Sequence, residues 1–247
     1  MENKVAIVTG AGRGIGQAIA SALARAGAAV VVSDIHLASA KAVAADITAG
    51  GGRSLAVETD VSSEAQAQQL VDSALAAFSK IDVLVNNAGI LATGPILETS
   101  VEVWERTHAV NLKGVFLCTR AVLRALMAQR SGRIINIASV AGKRGGGFFG
   151  NACYSSSKGG VIAFTKATAR EAGPYNITVN AVAPAMIETE MISNMPADKR
   201  QSLLHSIPLG RTGSVNDVAA AVCFLASDQA GFMTGEIMDV DGGLIMD

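Results

Sequence analysis

Apolar residues along the chain follow two alternating rhythms. Short runs rich in Val, Ile and Ala predict strands at Lys4–Thr9, Ala29–Asp34, Ser54–Glu58, Val83–Asn86, Arg133–Ala138, Thr178–Ala183 and Glu236–Val240. A run such as Ala29-Val-Val-Val-Ser33 lacks polar alternation, as expected of a strand covered on both faces. Between the runs lie stretches of helical period, the clearest with Ala67, Leu70, Val71, Ala74, Leu75 and Phe78 on one face. This order predicts an α/β fold: a doubly wound, parallel, seven-stranded sheet with helices on both faces. No linker, repeat or low-complexity run divides the 247 residues, so a single domain over 1–247 is expected. Only 184–210 breaks the rhythm. It follows a strand's carboxyl end, holds Pro184, Pro196 and Pro208, and carries apolar Met186, Ile187, Met191, Ile192 and Met195, which predicts a lid over a site.

Composition narrows the class. Hydrophobic residues make up 50%, charged residues 17%, and there are 26 glycines, a profile that suits buried parallel strands joined by tight turns. A formal charge of −1 gives no support for nucleic acid or an anionic membrane as partner. Cys118, Cys153 and Cys223 lack paired spacing, which argues against a disulfide framework and for a reducing, cytoplasmic setting. The chain enters its first strand with no cationic, apolar leader, and no run is long enough for a membrane helix. His36, His108 and His205 show no metal-ligand spacing.

The chemistry begins where the first strand meets Thr9-Gly-Ala-Gly-Arg-Gly-Ile-Gly16. Glycines at 10, 14 and 16 let backbone amides approach a pyrophosphate at a helix start. Asp34 ends the second strand, 18 residues after Gly16, where a carboxylate accepts hydrogen bonds from an adenosine ribose and repels a 2′-phosphate. NAD(H) is therefore expected to be preferred, with NADP(H) second. Arg13 pulls the other way, since its guanidinium suits that phosphate or the diphosphate. Asp60 and Val61, after the third strand, are placed for the adenine ring. Asn86-Asn87-Ala88-Gly89, after the fourth, allows a close turn beneath the cofactor, although these are also ordinary turn residues. Far downstream, Tyr154 and Lys158 stand four residues apart, on one face if helical. The ammonium is expected to lower the phenol's pKa from its usual value of about 10. A phenol exchanging protons near neutral pH suits a ketone/alcohol oxidoreductase.

In order along the chain, Thr9–Gly16, Asp60, Asn86–Gly89, Asn111, Ser139, Tyr154 with Lys158, and the segment from Pro184 resemble the short-chain dehydrogenase/reductase family over essentially the whole length. The resemblance implies a Rossmann-like fold and a catalytic tetrad. Tyr154 would exchange the proton with the substrate oxygen, and Lys158 would lower the phenol's pKa and hold the nicotinamide ribose. Ser139 would orient the substrate oxygen. Asn111 would interrupt the helix after Trp104 and anchor a water that relays protons from Lys158. The likeness also places Ile15, Ile187 and Thr189 at the cofactor, with Thr189 at the carboxamide. It further implies a homotetramer, with interfaces on the helix around Trp104–Ala128, the helix after Tyr154 and Gly235–Met246.

Ile177–Pro184, Phe224–Asp228 and Asp241–Gly243 resemble the 3-oxoacyl-acyl-carrier-protein reductase branch, so a 3-oxoacyl thioester is the first expected substrate. A polyol or sugar dehydrogenase shares those segments and remains the alternative, with Lys143, Arg144 and Asn151 as groups for a polar substrate. A dinucleotide-binding regulator without turnover ranks behind both, because a sensor has no need of the tetrad. Three departures bear on the branch. Ala185 stands where the family usually has Gly. Val140–Cys153 is longer than usual and holds five glycines. Arg130 suits docking of an acyl carrier protein, but Tyr175 replaces a second basic residue, which counts against that partner.

Overall fold

The structure, a computed structural model, describes residues 1–146, 150–188, 201 and 204–246. Seven strands form one sheet: β1 (Val5–Thr9), β2 (Ala29–Asp34), β3 (Arg53–Glu58), β4 (Val83–Asn86), β5 (Gly132–Ile137), β6 (Ile177–Pro184) and β7 (Ile237–Val240). Every expected strand is present, with no end moved by more than one residue. The order is β3-β2-β1-β4-β5-β6-β7, and all neighbours pair in parallel. Parallel neighbours need long crossovers, which the helices supply. These are α1 (Gly14–Arg25), α2 (Leu37–Ala49), α3 (Glu64–Phe78), α4 (Val101–His108), α5 (Gly114–Gln129), α6 (Val140–Arg144), α7 (Ala152–Ala172) and α8 (Val215–Ala226).

Alternate side chains of each strand enter opposite cores, which explains the unbroken apolar runs. Val30 and Val32 of β2 pack with Leu23 of α1, Val43 of α2 and Val222 of α8. Val31, between them, packs on the other face with Leu70 of α3, Val122 of α5 and Ala172 of α7. Full burial of each such Val or Leu contributes about 1.5–3 kcal/mol.

Within this apolar frame one polar chain is buried. Asn86 of β4 donates to Asn136 of β5 (2.9 Å) and Thr119 of α5 (3.0 Å), and Asn136 donates to Thr165 of α7 (2.9 Å). These bonds tie α5 and α7 to the two central strands, and at that depth an unpaired amide would be costly.

Strand order reverses between β1 and β4, opening a crevice at their carboxyl ends. The helix expected around Trp104–Ala128 runs as α4, a π-helical turn at Ala109–Lys113, and α5. Asn111 thus sits in a widened turn inside a continuous helical run, not at a break. Widening frees a backbone step and turns its side chain inward, where it is fully buried.

The predicted lid is described only at its ends. Gly213 donates to the Met186 carbonyl (2.9 Å), and Glu188 donates to the Gly213 carbonyl (2.7 Å), pairing Ile187 with Gly213. Thr189, Met191, Ile192, Met195 and Pro196 lie outside the described residues, as do Gly147, Phe148 and Phe149. Among the described residues no helix is long and apolar enough to cross a membrane, and no group of His, Cys, Asp or Glu could hold a metal ion.

Candidate active site

At the carboxyl end of β1 the chain turns through Gly10 (φ +60°) and Gly14 (φ +57°), a backbone region that side chains avoid. A Cβ on Gly10 would sit 2.8 Å from the Ala88 Cα, so the glycine loop and the turn after β4 touch there. Asn87 locks them together, donating from Nδ2 to the Thr9 and Gly10 carbonyls (both 2.9 Å). The Thr9 hydroxyl accepts the Asn87 and Ala88 amides (3.1 and 3.2 Å). No side chain caps α1 and its first turn holds no acidic residue, so its first amides are left for an anion. The space beside Gly14 is open. Gly16 is buried and Ile15 half-buried in that turn, while Arg13 is exposed and makes no ion pair among the described residues. Uncapped amides, an open cradle and a carboxylate at the end of β2 suit a dinucleotide.

That carboxylate is Asp34. Its Oδ2 accepts the Gly12 amide (2.9 Å) and its Oδ1 accepts the His36 amide (3.0 Å), so it braces the glycine loop. Asp60 is turned into its own loop, where Oδ1 accepts the Ser62 amide (2.9 Å) and hydroxyl (2.7 Å), with Arg106 at 3.6 Å. Burial pushes the Asp60 carboxyl up, but the Ser62 hydrogen bonds and Arg106 together leave it below the usual carboxylate range. Val61 is buried against Gly114 at the start of α5. Ile187 is buried in the bridge to Gly213. Ala185 has no positive φ, and its amide donates to Val240 (3.1 Å), so the methyl group is accepted by ordinary backbone.

The reacting end is assembled from four elements. Ser139 follows β5 and caps α6 by accepting the Ala141 amide (3.1 Å). Asn151 caps α7 by accepting the Tyr154 amide (3.0 Å), which fixes the helix start one turn before Lys158. Tyr154 is partly exposed and Lys158 nearly fully buried. Burial pushes the Tyr154 phenol up, while a hydrogen bond with Ser139 pulls it back down. Lys158 donates to the Ile137 carbonyl (2.7 Å), and burial lowers its pKa to about 8. The direction at Tyr154 is opposite to that expected from helical spacing. Spacing registers a neighbouring cation but not burial, which dominates for both groups.

Asn111 accepts the Ile90 amide (2.8 Å) and donates to the Ile90 carbonyl (2.9 Å) and the Ser157 hydroxyl (3.1 Å). A Cβ on Gly89 would lie 3.3 Å from Asn111 Oδ1 and 3.5 Å from Lys158 Nζ. Ser139 thus shares a hydrogen bond with Tyr154, while Asn111 Oδ1 and Lys158 Nζ both lie near Gly89 in the turn after β4. Sequence reasoning missed the Ile137 carbonyl, the Asn86–Asn136 chain and a Lys143–Asp239 ion pair. Of these only Asn136, polar inside the apolar run Arg133–Ala138, carried a signal.

The family model adh_short_C2, described as Enoyl-(Acyl carrier protein) reductase, matches residues 10–245. A 3-oxoacyl-[acyl-carrier-protein] reductase of Synechocystis is 47% identical over 245 residues, covering 98% of this chain and 97% of the relative. The reductase FabG of Escherichia coli is 42% identical over 245 residues, covering 99% and 98%. A third relative is subunit BbsD of the (2S)-[(R)-hydroxy(phenyl)methyl]succinyl-CoA dehydrogenase of Thauera aromatica. It is 41% identical over 243 residues, covering 98% of this chain and 97% of its own. With the parallel sheet and the glycine loop, these matches show that the chain belongs to the short-chain dehydrogenase/reductase family, the NAD(P)(H)-dependent oxidoreductases that interconvert ketones and secondary alcohols.

Proposed function

We propose that the enzyme reduces 3-oxoacyl thioesters to 3-hydroxyacyl thioesters with NAD(H) as the preferred dinucleotide, using Tyr154 as acid, Ser139 as orienting donor, and Lys158 and Asn111 as the proton-relay side. The observations that carry this reading are the hydrogen bond of Ser139 with Tyr154 and the nearness of Asn111 and Lys158 to Gly89. When bound, the dinucleotide supplies or accepts the hydride. The chain's own residues handle the proton. Because burial keeps the Tyr154 phenol protonated at neutral pH, it serves as the donor to a substrate oxygen that gains charge during reduction. Ser139 accepts the Ala141 amide and shares a hydrogen bond with Tyr154, so its hydroxyl stands beside the phenol where the substrate oxygen would come. Lys158, with a pKa of about 8, is mostly charged at neutral pH yet close enough to it to return a proton. Gly10, Gly14, Ile15, Gly16, Arg13, Asp34, Asp60, Val61, Asn87, Ala88, Gly89, Ile187 and Thr189 are the proposed cofactor shell.

Asp34 supports the NAD(H) preference, since a carboxylate at the end of β2, beside the glycine loop, would repel a 2′-phosphate. The polar groups that favoured a sugar or polyol are partly engaged already. Lys143 is paired with Asp239, and Asn151 donates to the Thr99 hydroxyl (3.1 Å) and caps α7. Arg130 lies over the Tyr175 ring (6.0 Å) and donates to the Pro174 carbonyl (3.0 Å), which favours a coenzyme A thioester over a docked acyl carrier protein. The relative from Thauera is named for a coenzyme A thioester. Exposed Val101, Val103, Trp104 and Phe116 on α4 and α5 support a homotetramer, and the free thiols suit a reducing cytoplasm. The segment 184–210 is proposed as the lid.

A substrate panel tests the reading: acetoacetyl-CoA, simple cyclic ketones, sugars and polyols, each with NAD(H) and NADP(H). The expected result is the highest kcat/KM for acetoacetyl-CoA with NADH. A polyol or sugar turned over best would replace the substrate assignment, and a clear NADPH preference would replace the cofactor assignment.

A further inference from the structure

We infer that the cleft beyond the carboxyl ends of β6 and β7 receives the acyl tail of the substrate, so that the enzyme serves thioesters of medium chain length. This rests on the 3-oxoacyl thioester reading and names its substrate class. The cleft holds about 230 Å³. Sites for whole drug-sized ligands run to about 300–1,000 Å³, so this one takes a group and not an entire thioester or dinucleotide. An apolar cavity of about 150 Å³ already admits benzene, so a chain of roughly six or seven carbons fits here.

The lining sets the chemistry of the occupant. Ala185, Met186, Ile207, Leu209 and Val240 supply apolar walls, and Met186 and Ile207 pack there with Leu204 and Leu244. The charged groups of the lining are engaged: Asp217 with Arg211 (3.0 Å), Asp239 with Lys143 (2.6 Å), and Asp241 with the Gly243 and Ile245 amides (2.9 and 2.6 Å). A charged tail would have to compete with these contacts, whereas a hydrocarbon tail gains by leaving water.

Strand register joins the cleft to the reacting end. Ile137 of β5 is level with Val182 of β6, and Pro184 of β6 with Val240 of β7. Ser139 stays extended beyond β5, so it comes level with Pro184 and Val240 in one row across three strands. Neighbouring strands lie about 4.8 Å apart, which puts Ala185 about 5 Å and Val240 about 10 Å from Ser139 across the sheet. An extended carbon chain advances roughly 1.2 Å per bond, as an extended backbone does. With its oxo group at Ser139 and Tyr154, a 3-oxobutanoyl group therefore ends short of the cleft. The tail of a 3-oxodecanoyl group advances about 8 Å and so runs to the Val240 wall.

Turnover of 3-oxobutanoyl-, 3-oxohexanoyl-, 3-oxooctanoyl- and 3-oxodecanoyl-CoA tests this in wild type, Val240→Phe and Leu209→Trp, with NADH or NADPH, whichever is used faster. Each methylene buried contributes about fourfold, so wild-type kcat/KM should rise by at least about tenfold from the shortest to the longest substrate. A larger ring in the cleft should cut that ratio to about threefold or less in both variants. A wild-type ratio of about threefold or less overturns the inference, while turnover of 3-oxobutanoyl-CoA leaves the thioester reading standing. A large ratio that survives both substitutions also overturns it, since the tail then lies elsewhere. Leu209 is 67% exposed, so its tryptophan variant keeps the comparison if Val240→Phe folds poorly. If no thioester of any length is reduced, the thioester reading falls and takes this inference with it.

Discussion

Replacing Lys158 by Met should stabilise the protein most at neutral pH, and progressively less as the solution becomes alkaline. The lysine is nearly fully buried, its ammonium donates to the Ile137 carbonyl, and burial lowers its pKa from 10.5 to about 8. At 1.36 kcal/mol per unit, holding the charged form inside the fold costs about 3 kcal/mol. Because the folded pKa lies below the unfolded one, the unfolded chain holds the extra proton between about pH 8 and 10.5, so wild-type stability rises with pH across that window. Met has similar reach and no charge, so its variant lacks this dependence. Linkage gives a Lys158 contribution about 2 kcal/mol less unfavourable at pH 9.5 than at pH 7. Tyr154, raised by burial, stays neutral over this range in wild type and adds nothing to the difference. Urea unfolding of both proteins at several pH values, at one protein concentration, measures it. The gap in unfolding free energy should shrink by about 2 kcal/mol in favour of wild type between pH 7 and 9.5. Parallel curves would refute the reasoning and place the ammonium in a solvated environment.

Three further outcomes follow from the same geometry. Asn136→Leu removes one acceptor from Asn86, which keeps Thr119, and one donor from Thr165, which keeps the Val161 carbonyl, so it should lower stability by about 1–2 kcal/mol, read as a drop in Tm. Gly10→Ala forces a side chain into a positive φ and against Ala88, so dinucleotide affinity by titration calorimetry should fall by at least about tenfold (about 1.4 kcal/mol) while the fold persists. Asp34→Ser removes the charge at the end of β2, so the ratio of kcat/KM for NADPH to that for NADH should rise by about tenfold, with some loss for both as Gly12 loses its brace.

The sheet was legible because parallel strands buried on both faces have no polar side to obscure them. Val30, Val31 and Val32 read as one run and enter two different cores. The glycine loop was legible through Gly10 and Gly14, whose positive φ values are what that spacing serves. Asn111 was placed correctly as a disturbance, but its form, a widened turn, depends on what the side chain meets at Ile90 and Ser157. The direction of the Tyr154 shift was misjudged because spacing reports charge neighbours and says nothing of desolvation. Lys143 and Asp239 were illegible as a pair: 96 residues separate them, and only the finished fold brings them together. Asn136 stood out as polar in an apolar strand, yet its partners on β4 and α7 appear only once those elements are stacked.

The most direct test of the proton assignment is turnover by Tyr154→Phe, which keeps the ring and removes the only proton it offers. With acetoacetyl-CoA and NADH, kcat should fall by at least about 10²-fold, while the dissociation constant for the dinucleotide stays within about threefold of wild type. Wild-type turnover by the phenylalanine enzyme would contradict the account, since the substrate oxygen would then be receiving its proton from another group.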